Sequence, residues 1–382
     1  MKSQFDFPDS FDEEFVNKFN RKFSRFENKY INHNKINNPY IDLLIRLLDN
    51  NKLDSVYTDP IGEFHKAAIR KGGFVSSNNR KKAYRYIIEN LYKGNSDYNT
   101  NQTQPSFEAE EKVKDIIIKD CDRSVLNTIV SDNELYQKVF DKESRNKYLY
   151  NLRYFVRHSL GDNLLYEYYQ GYQDLALFFM MLYGKEGINI LYKFNSIFLN
   201  EYLHQRAKES ATFDDYLTTL ILCINHIDPN TNKMIEQITQ TKPYYSLSWI
   251  ITWFAHKNDD FFLQFRLMDY FITSELKEIY FFSGALIRSE FDKIKKEYSI
   301  TSGDDTNNAD LMGQVLMHYQ KMKFSQIDNE ALISVTEEII HNKQIQSIDI
   351  SKGKVTLKPK CFNVNYVISI LFFLVILFFD YY

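Results

Sequence analysis

Along most of this chain the apolar positions recur every three or four residues, the spacing of one face of an α-helix. The first clear run is IDLLIRLLDNN, with Ile41, Leu43, Leu44, Leu47 and Leu48 as its apolar set. The same period predicts helices over 78–92, 108–130, 144–160, 173–183, 186–206, 213–227, 231–240, 245–256 and 259–273. After the polar stretch TSGDDTNN it returns over 309–322 and 328–341. The 78–92 segment opens on Asn and stops before Gly94, which are start and stop signals for a helix. The 108–130 segment opens on acidic residues, as suits the positive end of a helix dipole. Val113, Ile116, Ile117 and Leu126 form its expected buried stripe. No alternation is long enough to build a sheet, and no internal repeat stands out. The expected architecture is all-α and multi-helical.

Outside the helical region the composition changes. Residues 1–37 are rich in Asn, Lys, Phe and Asp and read as a mobile or weakly helical leader. Residues 38–342 read as a single folded domain, interrupted by the turn-rich surface loop GNSDYNTNQTQPS, and 343–361 as a polar connector. Residues 362–379 are different. From Val364 to Phe379 the chain reads VNYVISILFFLVILFF, without a charge. As a helix this run spans about 24 Å, a little short of a hydrocarbon core of about 30 Å. Phe362, Tyr381 and Tyr382 suit the interfaces, and a thin bilayer such as that of the endoplasmic reticulum reduces the mismatch. Lys352, Lys354, Lys358 and Lys360, against the single nearby acid Asp349, keep the upstream side cytosolic. The expectation is a single-pass tail anchor with the functional domain in the cytosol. A buried core helix or a terminal strand is the alternative, disfavoured by a terminal run without apolar gaps behind a lysine-bearing connector.

Composition narrows the function classes. A 44% hydrophobic and 25% charged chain with 16% aromatics, 12 Gly and 7 Pro suits long packed helices. A net charge of −3 argues against a general nucleic-acid binder. Cys121, Cys223 and Cys361 lie far apart, so neither a disulfide framework nor a zinc site is expected, and a reducing compartment fits. The eight histidines show no metal-ligand spacing. The N-terminus lacks the apolar run of a signal peptide. Phosphate-binding loops, nucleophile elbows and dinucleotide glycine patterns are all absent.

Two short motifs carry candidate chemistry. In Ile117-Ile118-Lys119-Asp120-Cys121-Asp122-Arg123, the three-residue spacing of Ile117, Asp120 and Arg123 puts them on neighbouring turns of one helix side. Asp120 would then hold the Arg123 guanidinium ready, reducing the entropy lost on docking. Taken alone, the pair is better described as an ordinary surface ion pair of little consequence. Tyr168-Tyr169-Gln170-Gly171 puts a carboxamide, able to donate and accept at once, before a glycine that permits close approach. Taken alone, that fragment is better described as a helix N-terminal turn with two core tyrosines. Together they suggest more. An arginine supplied from outside neutralises charge on a transferring phosphoryl group, and a glutamine orients the attacking water. Arg80-Lys81-Lys82-Ala83-Tyr84 sets a cation one turn from an aromatic, a pairing read as structural. Trp249 and Trp253, four residues apart, read as core.

In this order the motifs resemble those of the TBC domain of Rab GTPase-activating proteins: R-x-x-x-W, I-x-x-D-x-x-R and Y-x-Q-G. Here they stand as Arg80 to Tyr84, Ile117 to Arg123 and Tyr168 to Gly171, with Tyr84 in place of the family's usual Trp. The resemblance covers residues of about 40 to 342. It implies an all-helical fold and catalysis in trans by Arg123 and Gln170, with Asp120, Tyr168, Gly171, Arg80 and Tyr84 in support. The partner would be a GTP-loaded Rab, with GTP and magnesium belonging to that partner. No cofactor or metal of the chain's own is implied, and the chain itself would not be a hydrolase. YYQGYQD, SLSWIITWFAH, the run Leu267 to Phe271 and the apolar terminus further resemble the tail-anchored endoplasmic-reticulum subgroup. Members of that subgroup act on Rabs of early secretory traffic. A catalytically silent Rab-binding scaffold or membrane tether is the alternative.

Overall fold

The computed structural model describes residues 7–94, 107–132, 134–161, 166–200, 202–203, 213–300 and 309–341. Among these the regular structure is entirely helical, with no strand. In chain order the helices are α1 (Glu13–His33), α2 (Pro39–Asp49), α3 (Leu53–Val56), α4 (Pro60–Ala68), α5 (Ser77–Gly94) and α6 (Phe107–Asp122). They continue as α7 (Val125–Asp132), α8 (Glu134–Val139), α9 (Lys142–Ser159), α10 (Tyr172–Tyr183), α11 (Gly187–Phe194) and α12 (Phe213–Ile227). The last are α13 (Pro229–Thr239), α14 (Leu247–Ile251), α15 (Phe261–Phe271), α16 (Lys277–Glu297), α17 (Ala309–Lys321) and α18 (Asn329–His341).

The chain divides into two compact units where the sequence suggested one domain. The first contains residues 1–211, 248–282 and 323–338, and the second contains 212–247, 283–322 and 339–382. In the first unit α10 is the central helix. Its sequence YQDLALFFMMLY is apolar nearly all round, and every residue from Tyr172 to Leu182 is buried, as expected of a helix enclosed on all sides. It packs against α1, α5, α6, α9 and α11. In the second unit α13 packs on α12 and α17, and Tyr245 stacks flat on Tyr319 with ring centroids 4.4 Å apart.

Three sequence expectations change. The polar leader contains α1, a 21-residue helix capped by Asp12, and its Val16, Phe19 and Phe23 enter the core. Phe19 stacks on Tyr148 and Phe140, so this helix is part of the folded unit. The single helix expected over 108–130 is two, broken at Arg123 and Ser124. The helix expected over 245–256 stops at Ile251, because Trp253 and Phe254 adopt φ of 51° and 65°. That left-handed geometry cannot continue a right-handed helix. The apolar segment 364–379, read as a tail anchor, lies outside the described residues. Among the described residues no helix is long and apolar enough to cross a membrane.

Arg80 and Tyr84 belong to a buried ionic cluster of the first unit. Arg80 donates from Nε and Nη2 to the two oxygens of Asp269, both at 2.9 Å, and from Nη1 to Glu27 at 3.0 Å. The Tyr84 hydroxyl donates to the same Asp269 at 2.7 Å. The guanidinium sits over the Phe265 ring, 5.2 Å from its centroid, so the aromatic it faces is not Tyr84. A bidentate fork suits this site because both acids are fully enclosed and each needs several donors.

Glu278, in the first turn of α16, is another buried acid of this unit, but its Oε2 has no hydrogen-bond partner. Burial, reinforced by Glu275, pushes its carboxyl up to about 7. The folded state therefore keeps this proton to higher pH than the unfolded chain does. The stability linked to it is fully present below about 4.5 and is lost as pH rises towards 7. Glu278→Gln is expected to flatten that fall and to raise stability at pH 8 by about 1–3 kcal/mol. Denaturant titrations at pH 5 and pH 8 check this, and an unchanged difference between wild type and variant at the two pH values refutes it.

Candidate functional site

The break between α6 and α7 puts Arg123 at the C-terminal end of α6, with its side chain 42% exposed. A cation there complements the negative end of the helix dipole. Its Nε donates to the Lys119 carbonyl at 3.2 Å, and its Nη2 to Asp120 Oδ1 at 2.9 Å. The neighbouring Asp122 pairs with Arg153 of α9. Arg123 thus has Asp120 as its carboxylate partner.

Asp120 is buried, and its other oxygen accepts from the Tyr168 hydroxyl at 2.9 Å. Burial pushes the Asp120 carboxyl above its usual range, against the opposing pull of Tyr168 and Arg123. The Tyr168 hydroxyl is pushed far upward by its own burial and by the charge of Asp120. It also lies 2.7 Å from Gln173 Oε1. With one proton to donate, this hydroxyl serves two acceptors, one on the arginine side and one on the glutamine side.

The glutamine side is a turn ahead of α10. Gln170 is exposed, and no hydrogen bond to its side chain is present among the described residues. Gly171 follows as the N-cap of α10 with φ of 98°. A Cβ there would come within 2.7 Å of Thr252 Cγ2 and 3.4 Å of His256 Cβ. Both the backbone conformation and the close approach require glycine. The Gly171 N–H donates to Gln173 Oε1 at 2.9 Å, so the Gln173 carboxamide reads the turn and Tyr168 with one oxygen.

Below the turn lies Asp174, fully buried. Its Oδ1 accepts from the Ser124 hydroxyl at 2.8 Å and the Val125 N–H at 2.9 Å. It thereby satisfies the first donor of α7, just after the break that exposes Arg123. Its Oδ2 accepts from Gln173 Nε2 at 3.0 Å and lies 2.7 Å from His256 Nδ1. His256 arrives through the left-handed turn after α14. That turn also leaves the Ile251 carbonyl to accept from the Tyr169 hydroxyl at 2.6 Å.

Of the residues expected at the site, Arg123, Asp120, Tyr168 and Gly171 are joined by this one set of hydrogen bonds, and Gln170 sits on the turn it holds. Arg80 and Tyr84 are in the separate ionic cluster. Gln173, Asp174, Ser124 and His256 were not among the expected site residues. The signal available was position: each lies in or beside a stretch the motifs had marked, YYQGYQD, the end of I-x-x-D-x-x-R, and SLSWIITWFAH. Among the described residues no group of three or more His, Cys, Asp or Glu is arranged to hold a metal ion. Chemically, the site offers an exposed guanidinium and an exposed carboxamide, both carried on backbone fixed from beneath.

Residues 77–295, more than half of the chain, match the Rab-GTPase-TBC domain family. That segment contains every residue of the site. The chain is similar to TBC1 domain family member 20 of Bos taurus, 24% identical over 235 residues, covering 60% of this chain and 53% of the relative. To the Homo sapiens protein of the same name it is 24% identical over 231 residues, with 60% and 53% covered. The chain thus spans about half the length of the curated relatives it matches.

Proposed function

The chain belongs to the Rab-GTPase-TBC domain family, and from that premise we propose that it is a GTPase-activating protein for a Rab-family small GTPase. Arg123 would neutralise charge growing between the β and γ phosphates of the partner's GTP, and Gln170 would align the attacking water. GTP and its magnesium ion belong to the partner. The observation that carries this reading is the bonded cluster Arg123–Asp120–Tyr168–Gln173–Gly171, which ties the exposed arginine to the turn bearing Gln170. A guanidinium held before docking loses less entropy on entering a nucleotide site.

The likeness of YYQGYQD and SLSWIITWFAH to the tail-anchored subgroup supports a Rab of early secretory traffic as the substrate. The uncharged run 364–379 supports anchorage in the endoplasmic-reticulum membrane with the helical units on the cytosolic side. Confinement to the same membrane as a lipid-anchored Rab raises its effective concentration without any new contact.

Substoichiometric protein mixed with a panel of GTP-loaded Rabs is expected to drive many turnovers of at least one of them. A silent scaffold would bind and release no phosphate, and that outcome rejects the activity. Removal of residues 362–382 is expected to leave turnover in solution unchanged and to weaken it about tenfold or more on Rab-bearing vesicles. Equal potency of the two forms on vesicles rejects the anchoring role.

A further inference from the structure

Among the described side chains of α6 the exposed ones are Glu111, Lys112, Asp115, Ile116, Lys119 and Asp122, and Arg123 follows at its end. Six of these seven are charged. The exception is Ile116, 48% exposed, while its neighbours Ile117 and Ile118 are buried at 0% and 8%. The opposite side of the helix, with Ile117, Asp120 and Cys121 buried, is the one turned to α9 and α10. The sequence pattern had assigned Ile116 to the buried stripe, but three consecutive isoleucines cannot all face one side of a helix.

Ile116 precedes Arg123 by seven residues, two helical turns. With α6 continued by one residue, their Cα positions fall within about 20° of one another around the axis and about 10 Å apart along it. A specific protein interface covers about 800 Å² on each partner, a patch with a radius of about 16 Å if circular. A patch of that size centred on Arg123 includes Ile116.

We infer that Ile116 is an apolar contact for the GTPase, beside the arginine that acts on its nucleotide. The inference rests on the GTPase-activating reading above and adds to it a surface and a role. Ile116 gives binding that is equal in the ground and transition states, with Asp115 and Lys119 as the polar rim around it. Loss of such an interaction raises KM and leaves kcat alone, whereas loss of Arg123 lowers kcat. Both substitutions act at a side chain about half open to solvent, and alanine favours an exposed helix position.

The test is steady-state turnover of the GTP-loaded Rab whose hydrolysis the wild-type chain stimulates most. Ile116→Ala is expected to raise KM about fivefold and Ile116→Asp more than tenfold, each with kcat within about twofold of wild type. An unchanged KM in both variants overturns the contact while leaving the activity standing. A lowered kcat at unchanged KM overturns it too, by showing that the change acts through Arg123. Absence of wild-type turnover on any Rab overturns the activity itself and this contact with it.

Discussion

Arg123→Ala is expected to lower the maximal stimulated rate of GTP hydrolysis by about 10³-fold or more, with the fold retained. The kinetic effect is large because the guanidinium is asked to stabilise charge that appears only in the transition state. The structural effect is moderate: the arginine is 42% exposed, but Asp120 is buried and loses one of its two donors, at a cost of about 1–3 kcal/mol. Asp120 keeps the Tyr168 hydroxyl when the arginine is gone. Arg123→Lys is expected to recover little, since an ammonium cannot span two phosphate oxygens as a planar fork does. Single-turnover hydrolysis and thermal unfolding of the same preparations are the measurements. Full activity in the alanine variant would remove the arginine from the mechanism. Equal losses of rate and folded fraction would make its role structural.

The helical fold was largely legible because apolar spacing was regular wherever packing demanded it. The failures have particular causes. In α1 the stripe Val16, Phe19 and Phe23 was present, but the Asn, Lys and Asp around it concealed the period. α16 was not anticipated. Ser283 and Gly284 interrupt its pattern, and the glycine is there because a Cβ would come within 2.9 Å of Ile227 Cδ1. The end of α6 at Asp122 depends on Asp174, whose carboxylate draws the Ser124 hydroxyl and the Val125 N–H away from a continuous helix. No local signal encodes an acceptor fifty residues away.

The site divides along the same line. Arg123, Gln170, Asp120, Tyr168 and Gly171 could be singled out as candidates because each lies in a short motif with a chemical rationale. The residues beneath them are joined only by folding. Gln173 and Asp174 looked like the first turn of a buried helix. His256 looked like a histidine without ligand spacing, and Thr252, which helps to exclude a side chain at Gly171, carried no signal. Ile116 shows the converse error: an apolar residue assigned to the core by type is turned outward by helix geometry.

The buried pair Gln173–Asp174 gives the second large expected effect. Asp174 accepts from Ser124, Val125 and Gln173 and lies beside His256, so all its capacity is committed. In Asp174→Asn one oxygen still serves Ser124 and Val125, but the new amide N–H groups face two donors, Gln173 Nε2 and His256 Nδ1. His256 escapes by changing tautomer. Gln173 does not: flipping its carboxamide would turn Nε2 towards the Gly171 N–H, exchanging one donor clash for another. A clash of buried donors costs about 1–3 kcal/mol, and relief by movement of the turn displaces Gln170. Asp174→Asn is therefore expected to lower kcat about tenfold or more, with KM nearly unchanged, and to lower stability by about 1–3 kcal/mol. Adding Gln173→Glu should reverse both losses in large part. The introduced carboxylate accepts from Gly171, from Tyr168 and from the introduced asparagine, and every donor is again matched. A general packing defect at position 174 would gain nothing from that second change. Failure of the double variant to recover kcat would thus limit Asp174 to holding the fold, with no part in setting the glutamine turn.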